Sequence, residues 1–168
     1  MLHAALLLLL APPPIVADLK ANFDAEMKKA IALAEAIPEE KYGYRPALNV
    51  RSTGEVLVHI ANGNREFLTA MKGATRDDMM KLFKEQAEKE RTLTAKAAII
   101  AEMKASADEI HQALDAENEQ SLKRPVPTFG PQATAQRVWI ETVGHVAEHL
   151  GQLIAYARAN GIKPPWSR

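Results

Sequence analysis

Apolar residues recur at steps of three and four positions along most of the chain, which is the spacing of one buried helix face. Four stretches show this spacing, over residues 16–37, 52–72, 93–114 and 133–160. No stretch shows the alternation of apolar and polar residues that is typical of a strand. The pattern therefore predicts an all-α fold in which four long amphipathic helices pack as a four-helix bundle.

The segments between these helices carry boundary signals. Ser52 and Glu55 have the pattern of a capping box, in which each side chain binds the other residue's free backbone N–H, and they predict the start of the second helix. Prolines and a glycine between residues 125 and 131 predict a loop before the fourth helix. The charged connection over residues 73–91 has room for a short helix, and its length permits a crossover between parallel neighbours instead of a tight hairpin.

The N-terminal segment differs in composition from the rest of the chain. Five leucines at residues 6–10 belong to an apolar run that is too short to span a bilayer but fits a secretory signal. Residues 15–17 are the candidate cleavage site, although Ile15 is large for its place and no basic residue precedes the leucines. We expect a signal peptide or apolar leader over residues 1–17, which adds little to stability, and a bundle domain over residues 18–168. The protein would then be periplasmic or secreted, and otherwise cytoplasmic.

The composition narrows the classes of partner and of metal ligand. The 168 residues include 21 Lys and Arg and 21 Asp and Glu, so the chain lacks the positive excess that draws proteins onto nucleic acid or anionic lipid. We therefore expect no nucleic-acid partner and no stable membrane span in the mature protein. The chain has no cysteine, so any metal ion must be held by His, Asp or Glu.

Three histidines form the candidate metal site. His145 and His149 lie four residues apart on the fourth helix, which directs both imidazoles from one face toward a single ion. The pair lies to one side of the apolar centre of the fourth helix, and His59 is displaced by a similar angle from the apolar centre of the second helix. All three can therefore line the edge of a groove between helices. For each histidine the alternative is a boundary residue that is satisfied by hydrogen bonds. His3 and His111 have no such neighbours, and we assign neither of them to the site.

A second pattern overlaps the histidine pair. Residues 145–149 read H-x-x-E-H, the motif of inverted zinc peptidases, in which the glutamate is the general base. Those enzymes need an acidic ligand well downstream, and the 19 residues after the motif contain neither Asp nor Glu, so we reject this interpretation. Glu55, Glu141 and Glu148 are candidates for a general base by proximity alone. Gln152 is either a ligand-orienting residue or a packed helix residue.

The segments that carry these features resemble the DinB-like superfamily. The likeness rests on residues 37–46, 51–61 and, most specifically, 145–158. In that family a histidine near the start of the second helix and a pair on the fourth helix bind a divalent metal ion. The resemblance implies that His59, His145 and His149 are the metal ligands. It also implies an up-down-down-up bundle with a long crossover from the second helix to the third.

Relatives in this family include transferases and isomerases that use low-molecular-weight thiols such as bacillithiol or mycothiol. We therefore expect a metal-dependent enzyme of hydrolase or thiol-transferase type, in which the open position on the ion lowers the pKa of a bound water or thiol. Zinc or nickel fits the ligands best, and iron or manganese is compatible. Because those thiols are cytosolic, export would favour the alternative, a non-catalytic metal- or small-ligand-binding module outside the cytoplasm. The sequence does not name the small-molecule substrate, and it leaves a homodimer open.

Overall fold

The computed structural model describes residues 13–128 and 132–167. In chain order, the helices of this part are α1 (Pro14–Ala36), α2 (Thr53–Met71), α3 (Arg76–Thr92), α4 (Lys96–Asp115), α5 (Glu119–Leu122) and α6 (Ala135–Ala159). A short 3-10 helix spans Glu39–Lys41, and two antiparallel strands are β1 (Pro125–Val126) and β2 (Ala133–Thr134). The all-α class predicted from the sequence is confirmed.

The four longest helices surround the main core. Helix α1 packs against α4 and α6, and helix α2 packs against α3, α4 and α6. The largest fully buried side chains are all apolar or aromatic: Trp139, Phe23, Leu33, Ile37, Leu57, Ile60, Ile99, Met103, Ile110, Leu114, Leu122 and Leu153. Each such side chain contributes about 2 kcal/mol through burial. The fold therefore rests on apolar packing and does not depend on a polar centre.

Helix α2 begins where its capping pattern predicts. The backbone N–H of Glu55 donates to the Ser52 hydroxyl at 3.3 Å, and the backbone N–H of Ser52 donates to the Glu55 carboxylate at 2.7 Å. Two free N–H groups at the helix start are satisfied in this way. The fixed start places His59 in the second turn of α2, where its side chain is partly buried.

Helix α3 occupies the charged connection between α2 and α4. It spans 17 residues, which is longer than the short helix that the sequence leaves room for. Thr75 and Asp78 form a capping box at its start. The side-chain amides of Gln86 and Asn62 each donate to the other residue's backbone carbonyl, at 3.1 and 3.2 Å. This buried pair holds α3 against α2 and brings the last turn of α3 toward His59.

A short hairpin, with two residues in each strand, corrects the expectation that the chain has no strand. Strand β1 pairs with β2, and residues 129–131 between them lie outside the described part. Each strand is too short to show an alternation in the sequence. Val126 and Ala133 are buried together with Val138 of α6. Because Ala133 belongs to β2, helix α6 begins at Ala135, slightly later than predicted.

Helix α1 begins at Pro14, inside the segment assigned to the leader. Val16 is 1% exposed and belongs to the core, so it is an exception to the expectation that residues before 18 add little to stability. The signal peptide falls mainly on residues 1–12, outside the described part, and it stays a prediction together with the periplasmic or secreted location. None of the helices in the described ranges combines the length and the hydropathy that a bilayer-spanning segment needs.

Candidate metal centre

Three histidines meet between α2 and α6. His59 lies on α2, and His145 and His149 lie one turn apart on α6. One ring nitrogen from each lies within 4.8 Å of those of the other two, and the Nε2 atoms of His59 and His145 are 3.3 Å apart. The structure thus brings together the three residues that the sequence analysis selects. Within residues 13–128 and 132–167, this is the one such cluster of metal-ligating side chains.

Gly63 makes room for the His145 ring. A Cβ atom at position 63 would lie 2.2 Å from Cε1 of His145 and 2.7 Å from its Nδ1, far inside van der Waals contact. Because glycine has no Cβ, the imidazole packs directly on the backbone of α2, one turn after His59. The Phe67 ring meets His145 nearly edge to face, with 5.7 Å between the ring centroids. The position of His145 is therefore fixed by close packing.

A carboxylate on α3 orients the His59 ring. Nδ1 of His59 lies 2.7 Å from Oε1 of Glu90, and since a carboxylate can only accept, Nδ1 carries the hydrogen, which in the neutral ring leaves the lone pair on Nε2. Nε of Arg51 donates to the other Glu90 oxygen at 2.8 Å. Burial acts to raise the pKa of Glu90, but the hydrogen bonds from His59 and Arg51 outweigh it and lower that pKa. Glu90 is therefore an ionised partner of His59.

A chain of hydrogen bonds orients His149. Nδ1 of His149 lies 2.9 Å from the amide oxygen of Gln152, which can only accept, so Nε2 of His149 presents its lone pair. The Gln152 amide nitrogen donates to the Tyr156 hydroxyl at 2.8 Å, and that hydroxyl donates to the backbone carbonyl of Arg51 at 3.2 Å. Arg51 thus supports both ligand-orienting chains, through its side chain toward Glu90 and through its carbonyl toward Tyr156.

The imidazoles on α6 are neutral at pH 7. Burial, together with the neighbouring His149 and His59 rings, lowers the pKa of His145 to about 3. Burial also lowers the pKa of His149, although its hydrogen bond to Gln152 favours the charged form. Neutral imidazole is the form that binds a metal ion, so these two rings need no deprotonation before binding.

The donor set fits a divalent transition metal. In a tetrahedral site with bonds of about 2.0–2.1 Å, two ligand nitrogens lie about 3.3–3.4 Å apart. The Nε2 atoms of His59 and His145 have this separation. Nδ1 of His145 is buried and has no hydrogen-bond partner among the described residues, so this ring gains little from protein hydrogen bonds. The three residues could therefore hold a metal ion, with His145 fixed by packing and the other two rings by hydrogen bonds.

The three glutamates proposed as general bases take other roles. Glu55 caps α2 and pairs with Arg45. Glu141 pairs with Arg137 at 2.8 Å, and Glu148 is exposed on α6. None of the three forms a hydrogen bond with the site histidines in the described part of the chain.

The other two histidines lie outside this cluster. His111 lies between α1 and α4, where its ring contacts Phe23 and Asp24. His3 falls on residues outside the described part. His111 does not join the described cluster, as the sequence analysis expects, and the assignment of His3 stays a prediction.

Sequence reasoning missed three residues that shape the site. Glu90 lies in a run of charged residues on α3, and nothing local separates it from its neighbours. Arg51 precedes the capping box and gives no sign of its two distant contacts. Gly63 did carry a signal, because a glycine inside a helix costs stability and often marks a close approach. Its place four residues after His59 could have been read in that way.

Comparison with known proteins identifies the family. A sequence model of the DinB superfamily matches residues 22–153, which include all three histidines. The chain belongs to the DinB superfamily. The resemblance noted from the sequence is thereby confirmed. No curated protein matches the chain.

Solved structures share the DinB-like fold at low identity. A DinB-like protein from Bacillus subtilis has a TM-score of 0.66 and 21% identity, over 87% of this chain and 93% of its own. A DinB-like protein from Bacillus cereus has a TM-score of 0.74 and 15% identity, over 90% of this chain and 97% of its own. A mycothiol-dependent maleylpyruvate isomerase has a TM-score of 0.68 and 13% identity, over 82% of this chain but 60% of its own. These likenesses show the fold alone.

Proposed function

We propose that this DinB-superfamily protein is a metal-dependent enzyme that holds one divalent ion through His59, His145 and His149. The observation that carries the proposal is the convergence of three imidazole nitrogens within 4.8 Å of one another. Zinc or nickel suits three imidazoles best, and iron or manganese is compatible with them. Three protein ligands leave a coordination position for a water or a substrate, which is typical of catalytic metal sites.

The bound ion would supply a Lewis acid that makes a water or a thiol nucleophilic at neutral pH. The protein's own part is to hold its ligands in the binding geometry. Glu90 keeps the Nε2 lone pair of His59 free, and Gln152 does the same for His149. Such outer partners orient ligands and raise their basicity. The arrangement suits reactions of the hydrolase or thiol-transferase type.

The thiol version of the reaction has one supporting comparison. A solved structure with the same fold is a mycothiol-dependent isomerase, although it is only 13% identical to this chain. This version requires a protein that meets such thiols in the cytosol. Export through the proposed leader at residues 1–17 would remove that contact and favour hydrolysis or simple binding.

A non-catalytic metal- or small-ligand-binding module outside the cytoplasm is the second candidate. It is favoured by the absence of a hydrogen-bonded general base at the histidines among the described residues. Glu141 pairs with Arg137, and Glu148 is exposed. Glu90 is engaged by His59 and Arg51. This module would bind the same ion through the same ligands but would turn over no substrate.

We also propose the up-down-down-up order for the four long helices, with α3 inside the crossover from α2 to α4. Two contacts at different heights along each neighbouring pair of helices support the relative directions that this order requires. They are Lys20–Asp115 and Glu35–Lys104 between α1 and α4, and Gly54–Ile99 and Asn64–Ser106 between α2 and α4. At α6 they are Phe67–His145 from α2 and Arg51–Tyr156 from the residues just before α2.

The metal content of the full-length protein, purified without added metal, tests the proposed function. Elemental analysis should find about one zinc or nickel ion per chain, and the His145→Ala variant should contain far less. Equal metal content in the variant and the wild type would refute the site.

Cobalt-loaded protein then separates the candidate reactions. Adding cysteine as a thiol probe should produce a thiolate-to-cobalt absorption band if the open position accepts thiols. A spectrum that does not change would contradict thiol transfer and leave hydrolysis or binding. A screen for ester and amide hydrolysis by the zinc-loaded protein distinguishes those two, because the binding module predicts no metal-dependent turnover.

A further inference from the structure

A cleft of about 520 Å³ opens beside the histidines, between α2, the first half of α3, the end of β1 and the first turns of α6. Its apolar wall includes Phe67, Met79, Phe83 and Val138. The β1–β2 hairpin supports this wall, because Val126 packs with Val138. Both the volume and the apolar lining are typical of small-molecule sites.

The cleft and the histidine cluster share one wall residue. Phe67 lines the cleft, and the same ring packs against His145. On α6, Val138 and Glu141 lie about two turns and one turn before His145 on the same side of the helix. A molecule in the cleft would therefore lie one aromatic ring away from the proposed metal ligands.

One charged side chain of the cleft has no hydrogen-bonded partner among the described residues. Glu141 pairs with Arg137, and Arg76 has interactions of its own. Glu66 lines the cleft from α2, is partly buried, and forms no hydrogen bond or ion pair with any described residue. Burial raises the pKa of Glu66, and the charge of Glu90 acts in the same direction, whereas His59 and Arg51 act to lower that pKa without donating a hydrogen bond to the carboxylate. Such a group gains most from a cationic ligand.

We propose that the cleft binds a small organic cation, whose apolar body packs against Phe67, Met79 and Val138 while its ammonium group meets Glu66. The inference rests on the proposed function only in identifying this cation as the substrate class of the metal site. An anionic ligand would be repelled by Glu66. A neutral apolar ligand would cover the carboxylate and leave it without a partner, at a cost in affinity.

The test uses three probes of matched size with full-length, chelator-treated protein at neutral pH. The probes are phenethylammonium, neutral 2-phenylethanol and anionic phenylacetate, each titrated by NMR. We expect phenethylammonium to bind about tenfold tighter than 2-phenylethanol, since a hydrogen bond between charged groups is added, and phenylacetate to bind weakest. Equal or weaker binding of phenethylammonium relative to 2-phenylethanol would overturn the proposal.

Two variants assign the charge preference. Glu66→Gln should remove the tenfold advantage of the cation and keep the affinity for 2-phenylethanol. Glu141→Gln is the matched control in the same cleft. This variant should keep the preference for the cation, because Glu141 already forms an ion pair with Arg137. A cation preference that survives Glu66→Gln or disappears in Glu141→Gln would contradict the role of Glu66.

NMR chemical-shift mapping on the wild-type protein locates the bound probe without relying on a variant that must fold. Phenethylammonium should shift the methyl signals of Met79 and Val138, and shifts confined to other regions would overturn the proposed location. Because these titrations use metal-free protein, they are independent of the metal site. If the protein fails to bind zinc in a separate titration, the proposed function is refuted. If it binds zinc but not the organic cation, only the proposed cation site in the cleft is refuted.

Discussion

The Nε2 atoms of His59 and His145 lie 3.3 Å apart, although 86 positions separate the two residues in the chain. Two ring nitrogens at this distance share one hydrogen or face a common cation. The rings are held there by different means, since Glu90 binds His59 and the missing side chain of Gly63 accommodates His145. A substitution at Glu90 removes the support of His59, and a substitution at Gly63 removes the space for His145.

Glu90→Gln should weaken metal binding about 10- to 100-fold and leave the fold intact, as is typical when a ligand's outer partner is lost. The amide can still accept from His59, but it carries no negative charge to strengthen the ring as a ligand. Competition with a chromophoric chelator measures the Kd. Glu85→Gln, an exposed change on the same helix, should leave the Kd unchanged. Wild-type affinity in Glu90→Gln would restrict Glu90 to a structural pair with Arg51.

Gly63→Ala should destabilise the protein by about 1–3 kcal/mol and greatly reduce metal affinity, because the new Cβ would overlap the His145 ring. Gly144→Ala is the matched control on α6, since a Cβ there meets nothing within 4 Å. That control should gain roughly 0.5–1 kcal/mol from helix propensity and keep its metal affinity. Urea unfolding of the metal-free proteins and a zinc titration provide both measurements. Similar behaviour of the two variants would argue against the close packing at position 63.

Glu117 should make stability depend on pH in the acid range. It accepts hydrogen bonds from Arg124 at 2.8 Å and from the Trp139 indole at 3.0 Å. Burial acts to raise its pKa, but the bonds from Arg124, Ser121 and Trp139 outweigh it and lower the pKa. A group with a lowered folded-state pKa stabilises the fold above its unfolded value of 4.5, and this stabilisation is lost as the pH falls through the folded value.

Glu117→Gln should therefore lose about 2 kcal/mol at pH 7 and depend less steeply on pH below the unfolded value than the wild type does. Glu119→Gln removes only an exposed pair with Lys123 and should resemble the wild type at pH 7. Thermal unfolding at a series of pH values supplies the comparison. Parallel pH curves for Glu117→Gln and the wild type would show that Glu117 makes no such contribution.

A chain that begins at Asp18 should be less stable than one that begins at Pro13. It lacks the first turn of α1 and with it Val16, whose burial is worth about 1.5–2 kcal/mol. Denaturant unfolding of the two chains measures the difference. Equal stability would mean that Val16 adds nothing and would agree with a leader cut after residue 17.

The parts of the structure that could be predicted from the sequence depend on local spacing. The capping box of Ser52 and Glu55 and the pairing of His145 with His149 each lie within about one helical turn, so the numbering alone specifies their geometry. The apolar stripes on the long helices likewise indicate the all-α class. The position of His59 on the second helix made it a candidate, and the resemblance to the DinB-like family implied that it is a ligand. Its meeting with the pair on α6 depends on how the helices dock.

The remaining features depend on contacts between distant segments. Glu90 contacts His59 from a different helix, and the Asn62–Gln86 pair joins the same two helices, α2 and α3. The β1–β2 hairpin rests on two residues in each strand, too few to produce a period. Residue spacing specifies neither the side chains that meet across helices nor the cleft that Glu66 lines.

Calorimetric metal titration of the histidine variants tests the central claim most directly. With zinc at pH 7, the wild type should bind one ion per chain, and His59→Ala, His145→Ala and His149→Ala should each lose most of the affinity, because each removes one of three ligands. His111→Ala is the control, since that ring lies between α1 and α4. Circular dichroism should show all four variants folded, because the core is apolar. Wild-type affinity in His59→Ala, or an equal loss in His111→Ala, would contradict the three-histidine site.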